Sequence, residues 1–275
     1  MHLIQSTSLD PHWNLAIEEA LLDGAQQGEP VLYLWQSKSA VVIGKNQNPW
    51  RECQCVDLEK KDGYLARRVS GGGAVYHDEG NLNFSLFLPR TNYQQKVPFS
   101  IVLNALGSLG IEASMMGRNS IAVDNFKVSG NAFCFRKNRV LHHGTLLVES
   151  NLHNLRYYLN PALKEINTKA TSSIPAAVSN LTRFDSRLDI QLVSRALVDA
   201  FEDTFEGQLQ TLTHEDLDQE HLHKLYAKYQ SWEWTYGHTP TFDVKLSKRV
   251  SEQDIFFHVQ IEKGRISSVK RLSRV

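Results

Sequence analysis

Apolar residues recur at helical spacing in four stretches of the chain, and each stretch predicts an amphipathic helix. The first begins with Asp10 as N-cap and Pro11 at the first helical position, and Glu18 falls off its apolar face. This pattern predicts a helix that packs against the core. The other predicted helices cover residues 98–109, 190–201 and 217–229.

Short apolar or alternating runs between these helices predict β-strands. Residues 31–35 and 40–44 are two strands joined by a polar turn, residues 74–77 and 82–88 a further strand pair, and residues 126–135 and 140–148 a hairpin. Residues 255–261 alternate and turn into one more strand. Helices and strands do not alternate strictly, which disfavours a Rossmann fold. We expect an α+β fold with mixed or antiparallel sheets and flanking helices, with a large domain at 1–230 and a small one at 239–275.

Composition narrows the class of protein. The 275 residues include 30 Lys+Arg and 30 Asp+Glu, so the formal net charge is zero. The chain therefore has no overall positive charge that would favour binding to nucleic acid or to an anionic membrane surface. No apolar run approaches the ~20 residues that span a bilayer, and the N-terminus lacks a secretory pattern. The cysteines Cys53, Cys55 and Cys134 show no disulfide-framework spacing. We therefore expect a cytoplasmic protein without a membrane or nucleic-acid partner.

The segment from Arg67 to Asp78, RRVSGGGAVYHD, has the strongest chemical character. Three consecutive glycines allow a ligand to approach the backbone, and successive N–H groups can bind an anion. Neighbouring residues of a strand point to opposite faces, so only one of Arg67 and Arg68 can reach such a site. The segment matches neither the P-loop nor the GxGxxG pattern. The alternative is a flexible turn with incidental surface arginines.

A second candidate is Lys127, which lies between two apolar residues of a predicted strand and just before Ser129 and Gly130. Burying an ammonium is costly without an anionic ligand, although a lysine stem can also reach the surface. His142 and His143 are adjacent and point in opposite directions, so no metal site is predicted. Together these residues indicate an anion-binding enzyme site, without identifying the substrate.

Three segments resemble motifs of the lipoate–protein ligase A family. Residues 67–81 resemble its RRxSGGGAVxHDxGN motif, residues 127–132 its KVSGxA motif and residues 142–147 its HHGTLL motif. Stretches at 14–19, 41–50, 178–181 and 231–234 agree in the same order. The resemblance implies a catalytic domain like that of biotin–protein ligases and a small C-terminal accessory domain.

This resemblance also implies a reaction in which lipoate and ATP, accompanied by Mg²⁺, form lipoyl-AMP. The lipoyl group then passes to a lysine of lipoyl domains, in the E2 subunits of 2-oxoacid dehydrogenases or the glycine cleavage H protein. By position, Lys127 is the central catalytic lysine and contacts both substrates. The ATP-binding residues are Arg68, Gly73, Ala74, Val75, Tyr76 and Lys127. The lipoate-binding residues are Lys127, Ser70, Gly71, Gly72, His77 and Gly130, and a monomer is expected.

Two departures from the family pattern leave alternatives open. Ser120 stands where an acidic residue is expected, which would alter a nucleotide or metal contact. The chain ends within the expected accessory domain, which would then be shortened. One alternative is an octanoyl- or lipoyltransferase of the same fold, which uses a cysteine such as Cys134 instead of ATP. The other is a catalytically weak relative that only binds lipoyl groups.

Overall fold

The computed structural model describes residues 1–24, 28–91, 93–163, 165–250 and 253–272. Its strands are β1 (His2–Gln5), β2 (Val31–Trp35), β3 (Ala40–Ile43), β4 (Tyr64–Arg67), β5 (Val75–His77), β6 (Asn81–Pro89), β7 (Ser114–Met116), β8 (Ser120–Val123), β9 (Phe126–Phe135), β10 (Arg139–Leu147), β11 (Ile166–Thr168), β12 (Gln210–Leu212), β13 (Phe242–Val250), β14 (Gln253–Glu262) and β15 (Arg265–Leu272). Its α-helices are α1 (Pro11–Asp23), α2 (Pro49–Glu52), α3 (Cys55–Lys60), α4 (Lys96–Ser108), α5 (Leu152–Tyr158), α6 (Ile190–Thr204) and α7 (Gln219–Gln230).

The strands form three sheets. The large sheet has the order β12-β1-β2-β6-β10-β9-β8-β7, in which only β1 runs parallel to its neighbours β2 and β12. A small sheet has the order β4-β3-β5, and a C-terminal sheet has the order β11-β13-β14-β15. The mixed and antiparallel sheets with flanking helices confirm the predicted fold class.

The large sheet is buried on both faces because helices cover each of them. Leu32 and Leu86 face a core that α4 and α6 complete. Tyr33 and Phe87, one residue along each strand, face a second core that α1 and α7 complete. The period of two along a strand thus sends neighbouring residues into separate cores. The second core adjoins the cavity described below.

The predicted helices at α1, α4, α6 and α7 are confirmed, and Asp10 caps α1 by accepting from the backbone N–H groups of His12 and Trp13. The β9–β10 hairpin and the turn from β14 into β15 are also confirmed. The predicted pairing of β5 with β6 is wrong. β5 pairs with β3 in the small sheet, whereas β6 lies between β2 and β10 in the large sheet.

The same division separates β2 from β3, which both form but belong to different sheets. β6 is nearly all buried, so it needs a hydrogen-bonded neighbour on each side. β10 pairs along its whole length, and β2 pairs with residues 83–87 on its other side. The short polar segments that follow β2 and β5 therefore carry the chain between sheets instead of closing hairpins.

The C-terminal sheet is present as a small antiparallel unit. β14 is its central long strand, and β11, from much earlier in the chain, forms one edge. Phe242 and Val259 belong to its own small core, against which Trp50 packs. Within the described residues, no helix is both long and apolar enough to cross a membrane.

Candidate active site

A cavity of about 670 Å³ lies between the large sheet and the glycine-rich segment. One row of side chains forms part of its wall, because Trp35, Asn83 and Thr145 are direct neighbours across β2, β6 and β10. Residues directly opposite each other on adjacent strands point to the same face. Leu15 of α1 and Val42 of β3 add apolar surface. The cavity has the size and mixed lining of a small-molecule site.

Arg68 organises the glycine-rich loop. Its Nη2 donates to the backbone oxygens of Gly71 (2.7 Å) and Gly73 (2.8 Å), and its Nε donates to the Ser70 hydroxyl (3.0 Å). Burial lowers the pKa of Arg68 to about 10, so it is charged at neutral pH, and the negative charge of Glu18 opposes the shift. Gly72 adopts a φ of +91°, which favours glycine. The loop is thus held around a buried cation.

Arg67 points to the opposite face, as predicted for neighbouring strand residues. Its guanidinium lies on backbone oxygens of the segment 44–47 and of Trp234 and Thr235. Trp234 returns a hydrogen bond from its indole N–H to the Arg67 backbone oxygen (2.7 Å). Arg67 therefore anchors the aromatic segment near residue 234 and does not border the cavity.

Lys127 lies where two segments hold its backbone in place. Its N–H donates to the Ala177 oxygen (2.8 Å), and its own oxygen accepts from the Ser179 N–H (3.1 Å). The next residue of β9, Val128, is the extra residue of a bulge opposite Ile121 and Ala122, which re-aims the strand. The Lys127 side chain is half-buried over Gly130, where an added Cβ would lie 3.1 Å from the Lys127 Nζ. Burial, followed by the charge of Arg68, lowers the pKa of Lys127. Among the described residues its ammonium has no ion-pair partner.

A second cavity of about 270 Å³ adjoins the first. Tyr76, Leu155 and Val178 give it apolar walls, and Lys127 and Gly130 border both cavities. The other residues that the family resemblance implied fall into three groups. Ala74 and Val75 border both cavities, whereas Ser70 and Gly71 border neither. The rest border one cavity each, which is the small one for Tyr76 and the large one for Arg68, Gly72, Gly73 and His77. Lys127 therefore stands where ligands in the two cavities would meet.

Ser70 is instead part of a buried chain of hydrogen bonds behind the loop. Its hydroxyl lies 2.6 Å from Nε2 of His143, and Nδ1 of His143 lies 2.8 Å from Oε1 of Glu18. Ser85 donates to the same carboxylate oxygen (2.6 Å). This chain joins α1 and β10 to the loop that Arg68 organises, so it fixes the loop against the large sheet.

The segment around Ser173 covers the other side of the loop. The Ser173 hydroxyl accepts from the backbone N–H of Ala74 (2.8 Å) and from the Gln47 amide (3.1 Å), and it donates to Glu52. Ile174, one residue further on, borders both cavities and is 90% exposed. The site thus has an exposed cover made of loop residues.

Two histidines of the site region are neutral at physiological pH. Burial, with the nearby charges of Arg68 and His143, lowers the pKa of His77 to about 3. Burial and His143 likewise lower the pKa of His142 to about 3. In the part of the chain that the structure describes, no group of three or more His, Cys, Asp or Glu side chains could hold a metal ion.

Sequence reasoning missed several wall residues. Glu18 was expected off the buried face of α1, but it is fully buried because its carboxylate faces the large sheet, where Ser85 of β6 and His143 of β10 lie against it. Asn83 and Ser85 alternate with leucine and phenylalanine in β6, a pattern typical of a strand with one solvated face. Here the polar face borders the cavity. The sequence did contain a signal for these residues, because the alternating polar positions of this strand follow directly after the glycine-rich motif.

Comparison with known proteins agrees with this geometry. Residues 10–202 match the family described as Lipoyl protein ligase A/B catalytic domain. A lipoate-protein ligase A of Psychrobacter cryohalolentis is 38% identical over 98% of this chain and 82% of its own length.

Solved structures show the same similarity. LipL1 of P. falciparum in complex with lipoate has a TM-score of 0.74 and 28% identity, covering 98% of this chain and 83% of its own. The bi-partite lipoate protein ligase of Thermoplasma acidophilum, studied with its E2 lipoyl domain, has a TM-score of 0.72 and 27% identity, covering 90% and 98%. A lipoate-protein ligase A bound with ATP has a TM-score of 0.71 and 28% identity, covering 85% and 97%. The resemblance drawn from the sequence is confirmed, and this chain belongs to the lipoyl protein ligase A/B family.

Proposed function

We propose that this chain is an ATP-dependent lipoate–protein ligase that forms lipoyl-AMP and then lipoylates a lysine of an acceptor protein. The observation that carries the proposal is the half-buried Lys127 ammonium, which borders both cavities and has no ion-pair partner among the described residues. A cation in that position can hold two anionic reactants together. Family membership and similarity to an ATP-bound ligase support the same reaction.

In the first step, a lipoate carboxylate oxygen attacks the α-phosphorus of ATP. The new acyl–phosphate bond forms as the bond to the β-phosphate oxygen breaks, and pyrophosphate leaves. The Lys127 ammonium reduces the repulsion between the two anions and stabilises the charge that grows on the phosphoryl oxygens. Its lowered pKa reflects a cation that has lost water, and a bound anion would raise that pKa again.

In the second step, the neutral amine of an acceptor lysine attacks the acyl carbon. An amide bond forms, the bond to the AMP oxygen breaks so that AMP leaves, and the amine releases its proton to solvent. Lys127 donates to the carbonyl oxygen as negative charge develops there. The same side chain thus serves both steps, because the reacting carbonyl stays at the junction of the cavities.

We assign the acyl chain to the large cavity and the nucleotide base to the small one. The small cavity has Tyr76, Leu155 and Val178 as flat or apolar walls suited to a purine. Gly73, Ala74 and Val75 present backbone at the phosphates, and Arg68 supplies positive charge while holding the loop. The remaining predicted lipoate residues, Ser70 and Gly71, support the loop rather than border the acyl chain.

The described residues do not fit a protein-held Mg²⁺ site. Glu18 and Glu52 border the cavities, but Oε1 of Glu18 and Oε2 of Glu52 are engaged by side chains of the protein. Oε2 of Glu18 has no partner among the described residues, and Ser120 adds only a hydroxyl beside the large cavity, which is too small a donor set for a protein-held ion. Mg²⁺ is therefore assigned to the ATP phosphates, which it binds readily, and no step is derived through it.

The acceptors we propose are lipoyl domains, namely those of 2-oxoacid dehydrogenase E2 subunits and the glycine cleavage H protein. The similarity to a ligase studied with its E2 lipoyl domain supports this class. We also propose that the protein acts as a monomer, because one chain lines both cavities and no second copy is needed to complete the site. The free thiols of Cys53, Cys55 and Cys134 support a reducing, cytoplasmic location.

The test combines the protein with ATP, Mg²⁺, lipoate and an apo lipoyl domain, and weighs the domain by mass spectrometry. We expect the mass of one lipoyl group to be added, and none when ATP is omitted or the acceptor lysine is replaced. Transfer that needs no ATP would contradict the ligase assignment. Lipoate or ATP binding without transfer would instead indicate the catalytically weak relative.

A further inference from the structure

One face of the C-terminal sheet is apolar but only partly covered. Its buried part includes Phe242 and Val259, which are at most 4% exposed. Trp50 of α2 packs against this part, with its ring centre 5.4 Å from that of Phe242. The sheet thus packs on the body of the molecule through this face.

Beyond Trp50 the same face continues as an exposed apolar surface. Leu246 is directly opposite Phe257, and Val269 is directly opposite Val259. Directly opposite residues of neighbouring strands share a face, as do residues two apart along a strand. We call Leu246, Phe257 and Val269 the ledge. Leu246 is 37% exposed, Val269 is 54% exposed and Phe257 is half-buried. Neighbouring exposed apolar side chains of this kind mark interaction surfaces.

The charged side chains around the ledge are positive. Lys248 lies on the face of the ledge, two residues along β13 from its leucine, and Arg271 is directly opposite its phenylalanine. Both are exposed. The described acidic side chains of β13, β14 and β15 alternate onto the other face, and they are Asp243, Asp254 and Glu262. This distribution of charge is complementary to an acidic partner surface.

The ledge is close enough to the site to contact a protein whose side chain enters it. Thr168, at the end of β11, is paired with Phe242, and Thr171 borders the large cavity. Three residues span at most about 11 Å, neighbouring strands are about 4.8 Å apart, and the four residues from Phe242 to Leu246 span about 13 Å. The ledge is therefore within about 30 Å of the cavity, which is comparable to the diameter of a domain of about 100 residues.

We propose that the ledge is a docking surface for the acceptor protein, and that the acceptor presents an acidic surface to it. The inference rests on the proposed function, because that reaction needs a protein that holds one of its lysines beside Lys127. The acceptor covers the apolar side chains of the ledge, and its carboxylates face Lys248 and Arg271. A contact of this kind affects the binding of the acceptor and leaves the formation of lipoyl-AMP unchanged.

The test separates acceptor binding from the first step. kcat and KM for an apo lipoyl domain are measured for the wild type and Leu246→Glu, and lipoate-dependent exchange of labelled pyrophosphate into ATP is measured on the same preparations. We expect Leu246→Glu to lower kcat/KM about tenfold, mainly through KM, because it places a carboxylate opposite an acidic surface. Exchange, which needs no acceptor, should not change.

Two matched variants isolate the cause. Leu246→Lys removes the same apolar contact but adds a positive charge, so it should lower kcat/KM less than Leu246→Glu does. Leu192 of α6 is also 37% exposed, and Leu192→Glu should leave both measurements unchanged. If Leu246→Glu does not fold, Arg271→Glu reverses an exposed charge beside the ledge and should likewise raise KM for the acceptor without changing exchange.

Equal kcat/KM values for Leu246→Glu and Leu192→Glu would overturn the proposal. An equal loss in Leu246→Lys and Leu246→Glu would overturn it too, because the partner surface would then not be acidic. A wild-type dimer that Leu246→Glu dissociates in analytical ultracentrifugation would show that a second copy covers the ledge instead. Failure of the proposed function looks different, since the wild type would then show no exchange. Calorimetric titration of the wild type and Leu246→Glu with the apo lipoyl domain would still decide the docking, because it needs no turnover.

Discussion

Replacing Lys127 by methionine tests the centre of the proposed mechanism. Methionine keeps an unbranched stem of similar length over Gly130, so the junction of the two cavities is not enlarged. Only the positive charge and its N–H donors are lost. Because the ammonium has no ion-pair partner among the described residues, the folded protein loses no ion pair, and the repulsion between Lys127 and Arg68 is removed.

The expected loss follows from simple electrostatics. At an effective dielectric of about 20, a cation 4 Å from a unit negative charge contributes about 4 kcal/mol. If that stabilisation is present mainly in the transition state, its removal slows adenylate formation by about 10³-fold. The free energy of unfolding should stay within about 1 kcal/mol of the wild type, since a desolvated cation is removed.

The assay is lipoate-dependent exchange of labelled pyrophosphate into ATP, which reports the first step alone. Urea unfolding of the same protein measures its stability. Lys245→Met provides a matched control, because Lys245 is an exposed strand lysine in the C-terminal sheet. Exchange within tenfold of the wild type in a folded Lys127→Met protein would refute the role of this cation.

Four further predictions concern the surroundings of the site. Glu18→Ala leaves two buried donors unpaired, including that of His143, and should lower the free energy of unfolding in urea by about 3 kcal/mol, whereas Glu18→Gln keeps an acceptor and should recover most of it. His142 has a pKa near 3 when folded and 6.5 as its reference value, so the unfolded chain binds the extra proton and stability falls with pH below about 6.5. At pH 5 the loss from this group is about 2 kcal/mol, and His142→Phe should remove it in urea titrations at pH 7.5 and 5. Arg67→Lys cannot reach the carbonyl groups on both sides and should lower stability by about 3 kcal/mol, visible as a lower Tm. Cys134→Ser should keep ATP-dependent loading, because Cys134 borders neither cavity; an inactive, folded variant would favour the cysteine transferase.

Sequence alone determined the features that depend on local order. The cap at Asp10 and the helical spacing after it predicted α1, and alternation predicted β14, because period and capping act within a few residues. The glycine-rich segment and the strand lysine predicted an anion site around Lys127 and one of the two arginines, and the family resemblance assigned Arg68 to it. The opposite directions of Arg67 and Arg68 followed from strand geometry and are confirmed.

Tertiary structure decided which distant segments meet. The pairing of β6 with β2 and β10, instead of with β5, places Trp35, Asn83 and Thr145 in one row. Glu18 is buried because its carboxylate meets Ser85 of β6 and His143 of β10, both far along the chain from α1. Several segments of the chain could cover a given strand or helix. Which of them does so depends on how the whole chain packs and pairs its backbone hydrogen bonds, and no local pattern shows it.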